Sequence, residues 1–189
     1  DFNNCILSPA WEVKTKGNPN PVWYVGKSVL NDDNNGQSMN GSCFLFIDDD
    51  ATGDNTPAYV IDFVSPAFDA SRHSTVMLFV DVHYRDWYKS AESFKILLTD
   101  GVKETLISAF DQKHATGDSL WMFQTLQYDL SLLTKSPSAR LIFRYDDAGG
   151  FNWWTGFDNI RVMGTGNATN IVTESFNGCQ KPDVWEAKI

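Results

Sequence analysis

The sequence predicts an all-β protein, a two-sheet antiparallel β-sandwich of the jelly-roll kind. Three observations carry that expectation. Short apolar runs recur between clusters of Gly, Asn, Asp, Ser and Pro, which is how strands and turns alternate. Side-chain polarity repeats with a period of two, with no sustained period of 3.6. The length of 189 residues, with 42% hydrophobic and 14% aromatic residues, suits one domain with its own core.

The clearest predicted strands are residues 59–64, 75–83, 93–99, 104–110, 139–145 and 157–163. In the second, Val76, Leu78, Val80 and Val82 alternate with Met77, Phe79, Asp81 and His83, so one face is continuously apolar. In the fifth, Leu141 and Phe143 alternate with Ile142 and Arg144, so both faces read as partly covered. Six or more such strands with turn signals imply two packed sheets.

The formal net charge of −9 argues against nucleic acid, whose phosphates are bound by clustered Lys and Arg. An anionic membrane surface is disfavoured for the same reason, and acidity of this kind suits solubility or divalent cations. No apolar run approaches the roughly 18 residues of a membrane span, so membrane insertion is not expected. The opening Asp1-Phe2-Asn3-Asn4-Cys5 reads as already inside structure, as in a mature or excised piece.

An internal repeat organises the chain. DFNNCILSPAWEVK at the start returns as SFNGCQKPDVWEAK near the end, matching Phe2 with Phe176, Cys5 with Cys179, Trp11 with Trp185 and Glu12 with Glu186 at a constant offset of 174. Residues 1–165 are therefore expected to form one module. Residues 166–189 then read as a linker and the first strand of a truncated second repeat. That strand could stay disordered, dock back on the first module or pair with a neighbouring chain as an open edge.

Three cysteines are present. Cys5 lies in the first predicted strand and Cys43 opens the apolar run CFLFI, so they are the pair to join in an oxidising compartment; the alternative is two buried thiols. Cys179 is the repeat's counterpart of Cys5. No pair has the short spacing of a structural zinc site. His73, His83 and His114 lack helical zinc spacing too, and each is expected at or near the surface.

The strongest chemical signal is FIDDDATGDN, where Asp48, Asp49, Asp50 and Asp54 crowd a Gly-containing loop. Carboxylates this dense repel one another unless solvated or bridged by a cation, and calcium accepts six to eight oxygens in flexible geometry. A helix-loop-helix calcium loop is excluded, because Tyr59 stands where a bidentate Glu is needed. A solvated acidic turn is the alternative. Asp146-Asp147-Ala148-Gly149-Gly150 reads as a turn.

Of the seven tryptophans, Trp87 (beside Tyr88), Trp153 and Trp154 sit in polar segments. Aromatic faces on loops can stack on sugar rings; covering the sandwich end is the competing role. An extended backbone would turn one of Trp153 and Trp154 outward.

With these motifs in place the chain resembles the MAM-like jelly-roll modules of bacterial surface proteins, the cleaved-adhesin or choice-of-anchor domains. The opening Phe2-Asn3, Pro9, Trp11 and Trp23 resemble the family's first strand and the tryptophan after it. DFVSPAFDASRHSTVMLFVDVHY (62–84) resembles its Ser-Pro turn and long core strand, and ARLIFRYDDAGGFNWWTGFDNIRVMG (139–164) its Asp-rich loop and final strand. The resemblance implies a secreted or cell-surface location, tandem repetition, and binding of a surface glycan or an extracellular protein. It also implies a structural calcium joining an early loop to the last strand, with Asp49, Asp50, Asp54 and Asp158 as ligands.

The expected function is therefore a non-catalytic binding or adhesion module, one unit of a tandem array, packed against the neighbouring repeat. Its first rival is an accessory domain of a secreted peptidase or glycoside hydrolase. A small hydrolase using Asp147 or Asp50, and an inert spacer, are the others. No metalloprotease, nucleophile-elbow or phosphate-loop motif is present.

Overall fold

The computed structural model describes residues 8–18, 23–26, 42–49, 51, 57–84, 91–111, 123–150 and 153–165, with the backbone of 169–174. Among these residues the chain forms strands β1 (Glu12–Gly17), β2 (Tyr24–Gly26), β3 (Phe44–Asp48), β4 (Tyr59–Val64), β5 (Val76–Tyr84) and β6 (Ser93–Thr99). They are followed by β7 (Glu104–Phe110), β8 (Gln124–Asp129), β9 (Arg140–Asp146), β10 (Trp154–Gly164) and β11 (Thr169–Glu174). A five-stranded sheet has the order β1-β4-β9-β6-β7. A six-stranded sheet has the order β2-β3-β10-β5-β8, with β11 also paired to β10. Every pairing is antiparallel. The fold is a jelly-roll β-sandwich.

Strands β4, β6 and β7 coincide with their predicted ranges, β5 and β9 begin and end one residue later, and β10 is longer at both ends. Strands β1, β2, β3, β8 and β11 are not among the clearest predicted ranges. In β1, EVKTKG, every residue but the half-buried Val13 is exposed, because it is an edge strand paired only to β4.

The core is aromatic. Trp11 stacks on Phe63 at 4.4 Å and Phe143 on Phe157 at 4.3 Å, while Trp23 meets Phe157 edge-on at 5.2 Å. Each such side chain buried contributes about 1.5–3 kcal/mol over leaving it exposed. Ile142 is buried on the outward face of the five-stranded sheet with Val64 and Leu97, so β9 is covered on both faces as its alternation predicted.

Two features of β10 shape the opposite outward face. Between Asp158 and Arg161 the register against β5 shifts by one residue, a β-bulge. Asn159 sits there at φ 50°, a left-handed conformation that Asn tolerates better than most residues. β11 pairs with the last residues of β10, so hydrogen bonding to the sandwich continues beyond residue 165. The repeated segment 176–188 lies outside the described residues.

Candidate ligand-binding face

The upper end of the sandwich is where Gly17, Tyr59, Asp146 and Trp154 lie; Glu12, Val64, Val76 and Gly164 mark the lower end. The outward face of the six-stranded sheet divides along that axis. Its upper half is an aromatic cluster of Phe44, Phe46, Phe123 and Trp154, all buried, with Tyr24 and Trp153 packed against it. Gly156 permits this closeness: a Cβ there would stand 3.0 Å from both the Phe44 and Trp154 rings.

The lower half is built in cross-strand rows. The first joins Thr125 of β8, Asp81 of β5 and Asp158 of β10; the second Gln127, Phe79 and Arg161; the third Asp129, Met77 and Met163. Gln127, Asp129, Arg161 and Met163 are exposed, and Phe79 and Met77 are half-buried. The Arg161 guanidinium lies 5.3 Å from the Phe79 ring centre, a cation–π contact.

Directly opposed carboxylates destabilise a sheet, and here donors offset the pair. Thr125 Oγ1 donates to Asp81 Oδ1 at 2.5 Å and Asn159 Nδ2 to Asp81 Oδ2 at 2.6 Å. The Asn159 amide donates to Asp158 Oδ1 at 2.7 Å and Ser42 Oγ to Asp158 Oδ2 at 3.1 Å. The bulge thus supplies two of the four donors. The result is a fixed polar row above a half-exposed Phe79–Arg161 platform.

The upper end holds a separate group of buried acids. Tyr59 donates its phenol hydrogen to Asp49 Oδ1 at 2.6 Å, and Tyr145 donates to Glu92 Oε2 at 2.9 Å. Burial, then Asp49, pushes the Tyr59 phenol well above its usual range; burial, then Glu92, does the same to Tyr145. Asp147 Oδ1 accepts from the Tyr59 and Gly149 amides at 2.8 and 3.1 Å. Its Oδ2 is buried with no hydrogen-bond partner, and burial raises its carboxyl above the ordinary range.

Of the four expected ligands, the two among the described residues, Asp49 and Asp158, do not share one ion. Asp49 lies beside Trp153, while Asp158 follows Phe157, which is level with Leu45. Five residues of strand separate them, roughly 16 Å at about 3.3 Å per residue. They also face opposite sides of the sheet: Asp49 meets Tyr59 between the sheets and Asp158 meets Ser42 outside. Asp50 and Asp54 lie outside the described residues. Among the described residues no three His, Cys, Asp or Glu side chains converge as a metal requires. Among the described residues, Asp147 Oδ2 at the upper end is a buried carboxylate oxygen without a hydrogen-bond partner.

The aromatic expectations divide similarly. Trp154 does turn away from the inter-sheet core, yet it is only 3% exposed and stacks on His83 at 3.8 Å. It cannot offer a face to a ligand, because the aromatic cluster has taken it. Trp153 is half-buried against the same cluster, and Trp87 and Tyr88 lie outside the described residues. His83 is buried rather than near the surface. Cys43 is buried and disulfide-bonded; Cys5 and Cys179 both lie outside the described residues. The residues that sequence reasoning missed are Phe79, Gln127 and Arg161. The period-two alternation of β5 already placed Phe79 opposite the core face, but its cross-strand neighbours depend on a register that the sequence does not state.

No protein-family model matches the chain, and no curated protein matches it in sequence. In structure it is similar to the K1 cleaved adhesin domain of Lys-gingipain from Porphyromonas gingivalis W83, with a TM-score of 0.54 and 12% identity over 87% of this chain and 96% of that one. It also aligns with TmCBM61, solved in complex with β-1,4-galactotriose, at a TM-score of 0.49 and 12% identity over 83% and 89% of the two chains. A third structure, the mannan-recognising carbohydrate-binding module TmCBM27, aligns at 0.48 and 12% identity over 86% and 92%. What the chain shares with the K1 domain is the fold, a jelly-roll β-sandwich spanning nearly the whole of that domain.

Proposed function

We propose that the chain is a non-catalytic binding module, extracellular or on the cell surface, that takes a glycan on the lower outward face of its six-stranded sheet. The observation that carries this reading is the row Gln127–Phe79–Arg161 beneath the fixed Asp81–Asn159–Asp158 network. A sugar ring has apolar C–H faces and a hydroxyl rim. Binding it calls for apolar surface with a few well-placed donors and acceptors. Met77, Phe79 and Met163 supply the first; Arg161, Gln127 and Asn159 supply the second.

Binding fits better than hydrolysis here, because all four oxygens of Asp81 and Asp158 are engaged by protein donors. They hold the bulge rather than exchange protons with a substrate. The disulfide at Cys43 supports an oxidising, extracellular setting. The MAM-like kinship and a tandem neighbour belong to the same proposal; its rival is an accessory domain of a secreted peptidase or glycoside hydrolase.

Calcium is part of the proposal at the upper end, where Asp49 and Asp147 would supply oxygens. There it would neutralise buried carboxylates.

A glycan array followed by calorimetry tests the binding face. Phe79→Ala and Arg161→Ala should each weaken the best glycan about tenfold or more while circular dichroism shows the domain still folded. An array without any bound glycan, or binding indifferent to both changes, would overturn the reading.

A further inference from the structure

The outward face of the five-stranded sheet carries a different chemistry. Lys14 of β1, Asp62 of β4, Arg144 of β9 and Lys95 of β6 lie directly opposite one another in a single row. The next row toward the upper end runs Lys16, Val60, Asp146 and Ser93. Strands about 4.8 Å apart place Lys95 roughly 14 Å from Lys14 across β4 and β9, and about 16 Å from Lys16 one row further up. Between them is a groove of about 370 Å³ with Val60, Asp62 and Arg144 among its lining residues, within the range of small-ligand clefts.

In a chain of net charge −9 this groove is lined by four cations, Lys14, Lys16, Lys95 and Arg144, against two carboxylates, Asp62 and Asp146. Arg144 is already occupied. Its Nε and Nη2 donate to both Asp62 oxygens at 2.7 and 2.8 Å, and its Nη1 and Nη2 to Glu104 at 2.9 and 3.1 Å. Lys14 pairs with Glu12 at 3.2 Å. Among the described residues, Lys16 and Lys95 have no carboxylate in ion-pair reach. Lysines on an edge strand such as β1 also discourage sheet extension. That cannot account for Lys95, because β6 lies between β9 and β7.

We infer that this groove is a second binding site, distinct from the aromatic face, and that it takes an acidic saccharide unit carrying a carboxylate or a sulfate ester. The anion lies between the Lys16 and Lys95 ammonium groups, with the sugar ring against Val60. Solvent-exposed ion pairs of this kind are individually weak and screened by salt, so the affinity is modest and ionic-strength dependent. The inference does not rest on the glycan face, which is on the opposite sheet.

Native affinity electrophoresis at low salt tests it, with polygalacturonate, dextran sulfate or unmodified dextran in the gel. The carboxylated or the sulfated polymer should retard the protein, identifying which anion is read, and dextran should not. Lys16→Ala/Lys95→Ala should weaken retardation about tenfold at an unchanged melting temperature, and added salt should remove it. Phe79→Ala/Arg161→Ala should leave it intact, which separates this site from the other. Retardation by neither acidic polymer, or retardation that persists in Lys16→Ala/Lys95→Ala, overturns the inference.

Discussion

The Tyr59 phenol and the Asp49 carboxylate meet at 2.6 Å between the two sheets, tying the end of β3 to the start of β4. Tyr59→Phe leaves a buried carboxylate without that donor, and hydrogen bonds to charged groups are worth about 1.5–3 kcal/mol. The expected result is a lower urea midpoint at unchanged m-value. Because burial raises the folded pKa of Tyr59 and Tyr145, their contribution is complete below about pH 10 and falls as pH rises beyond it. Ultraviolet titration should show these phenols ionising only as the protein unfolds.

Asp147 gives the opposite pH dependence from a stabilising carboxylate. Its folded pKa is raised by burial, so the folded state holds its proton more tightly. Metal-free stability therefore declines as pH rises from about 4 through the raised value. In chelator at neutral pH, Asp147→Asn should melt no lower than wild type. Calcium should raise the wild-type melting temperature by mass action, and Asp147→Asn should abolish that gain. A calcium response surviving the substitution would remove Asp147 from the site.

Phe157 packs between Phe143 and Trp23 at 4.3 and 5.2 Å and is completely buried. Phe157→Ala should cost about 3–5 kcal/mol, read from equilibrium denaturation. A loss below about 1.5 kcal/mol would mean that the neighbouring rings collapse into the space, as volume-tolerant cores can.

Asn159 makes two separable contributions: its side chain donates to Asp81 and its backbone accepts φ 50°. Asn159→Gly removes only the first and Asn159→Ala both, so Ala should be the less stable by about 1 kcal/mol. Both should weaken glycan binding, since both release Asp81.

Reduction of the Cys43 disulfide should destabilise the domain by about 2–4 kcal/mol. Peptide mapping without reductant should recover Cys43 joined to Cys5, with Cys179 open to alkylation. A Cys43–Cys179 peptide would instead give the repeat's second cysteine the structural role.

Strands β4 and β6 were legible because each lies inside its sheet and buries an alternating face. Strand β1 was not, because an edge strand with one half-buried residue leaves almost no apolar period to read. The acidic loop was legible as a composition, but not as a geometry. Whether Asp49 and Asp158 share an ion depends on how far apart β3 and β10 hold them and on which face each occupies. Trp154 shows the same limit: alternation turns one of Trp153 and Trp154 outward without saying which, and the second layer of rings that buries Trp154 comes from β3, β5 and Phe123, far away in sequence.

The bulge in β10 bears on which changes of chain length this strand can absorb. Removing one residue from a strand ordinarily turns everything beyond it inside out. At Asn159 it would not: Asp158 stays opposite Asp81, Arg161 stays opposite Phe79, and Ile160 falls into step with Val80. Asn159 is thus a spare residue in the alternation, dispensable to the direction of every other side chain in the strand. What a shortened chain would lose is the amide and carboxamide that quiet two facing carboxylates.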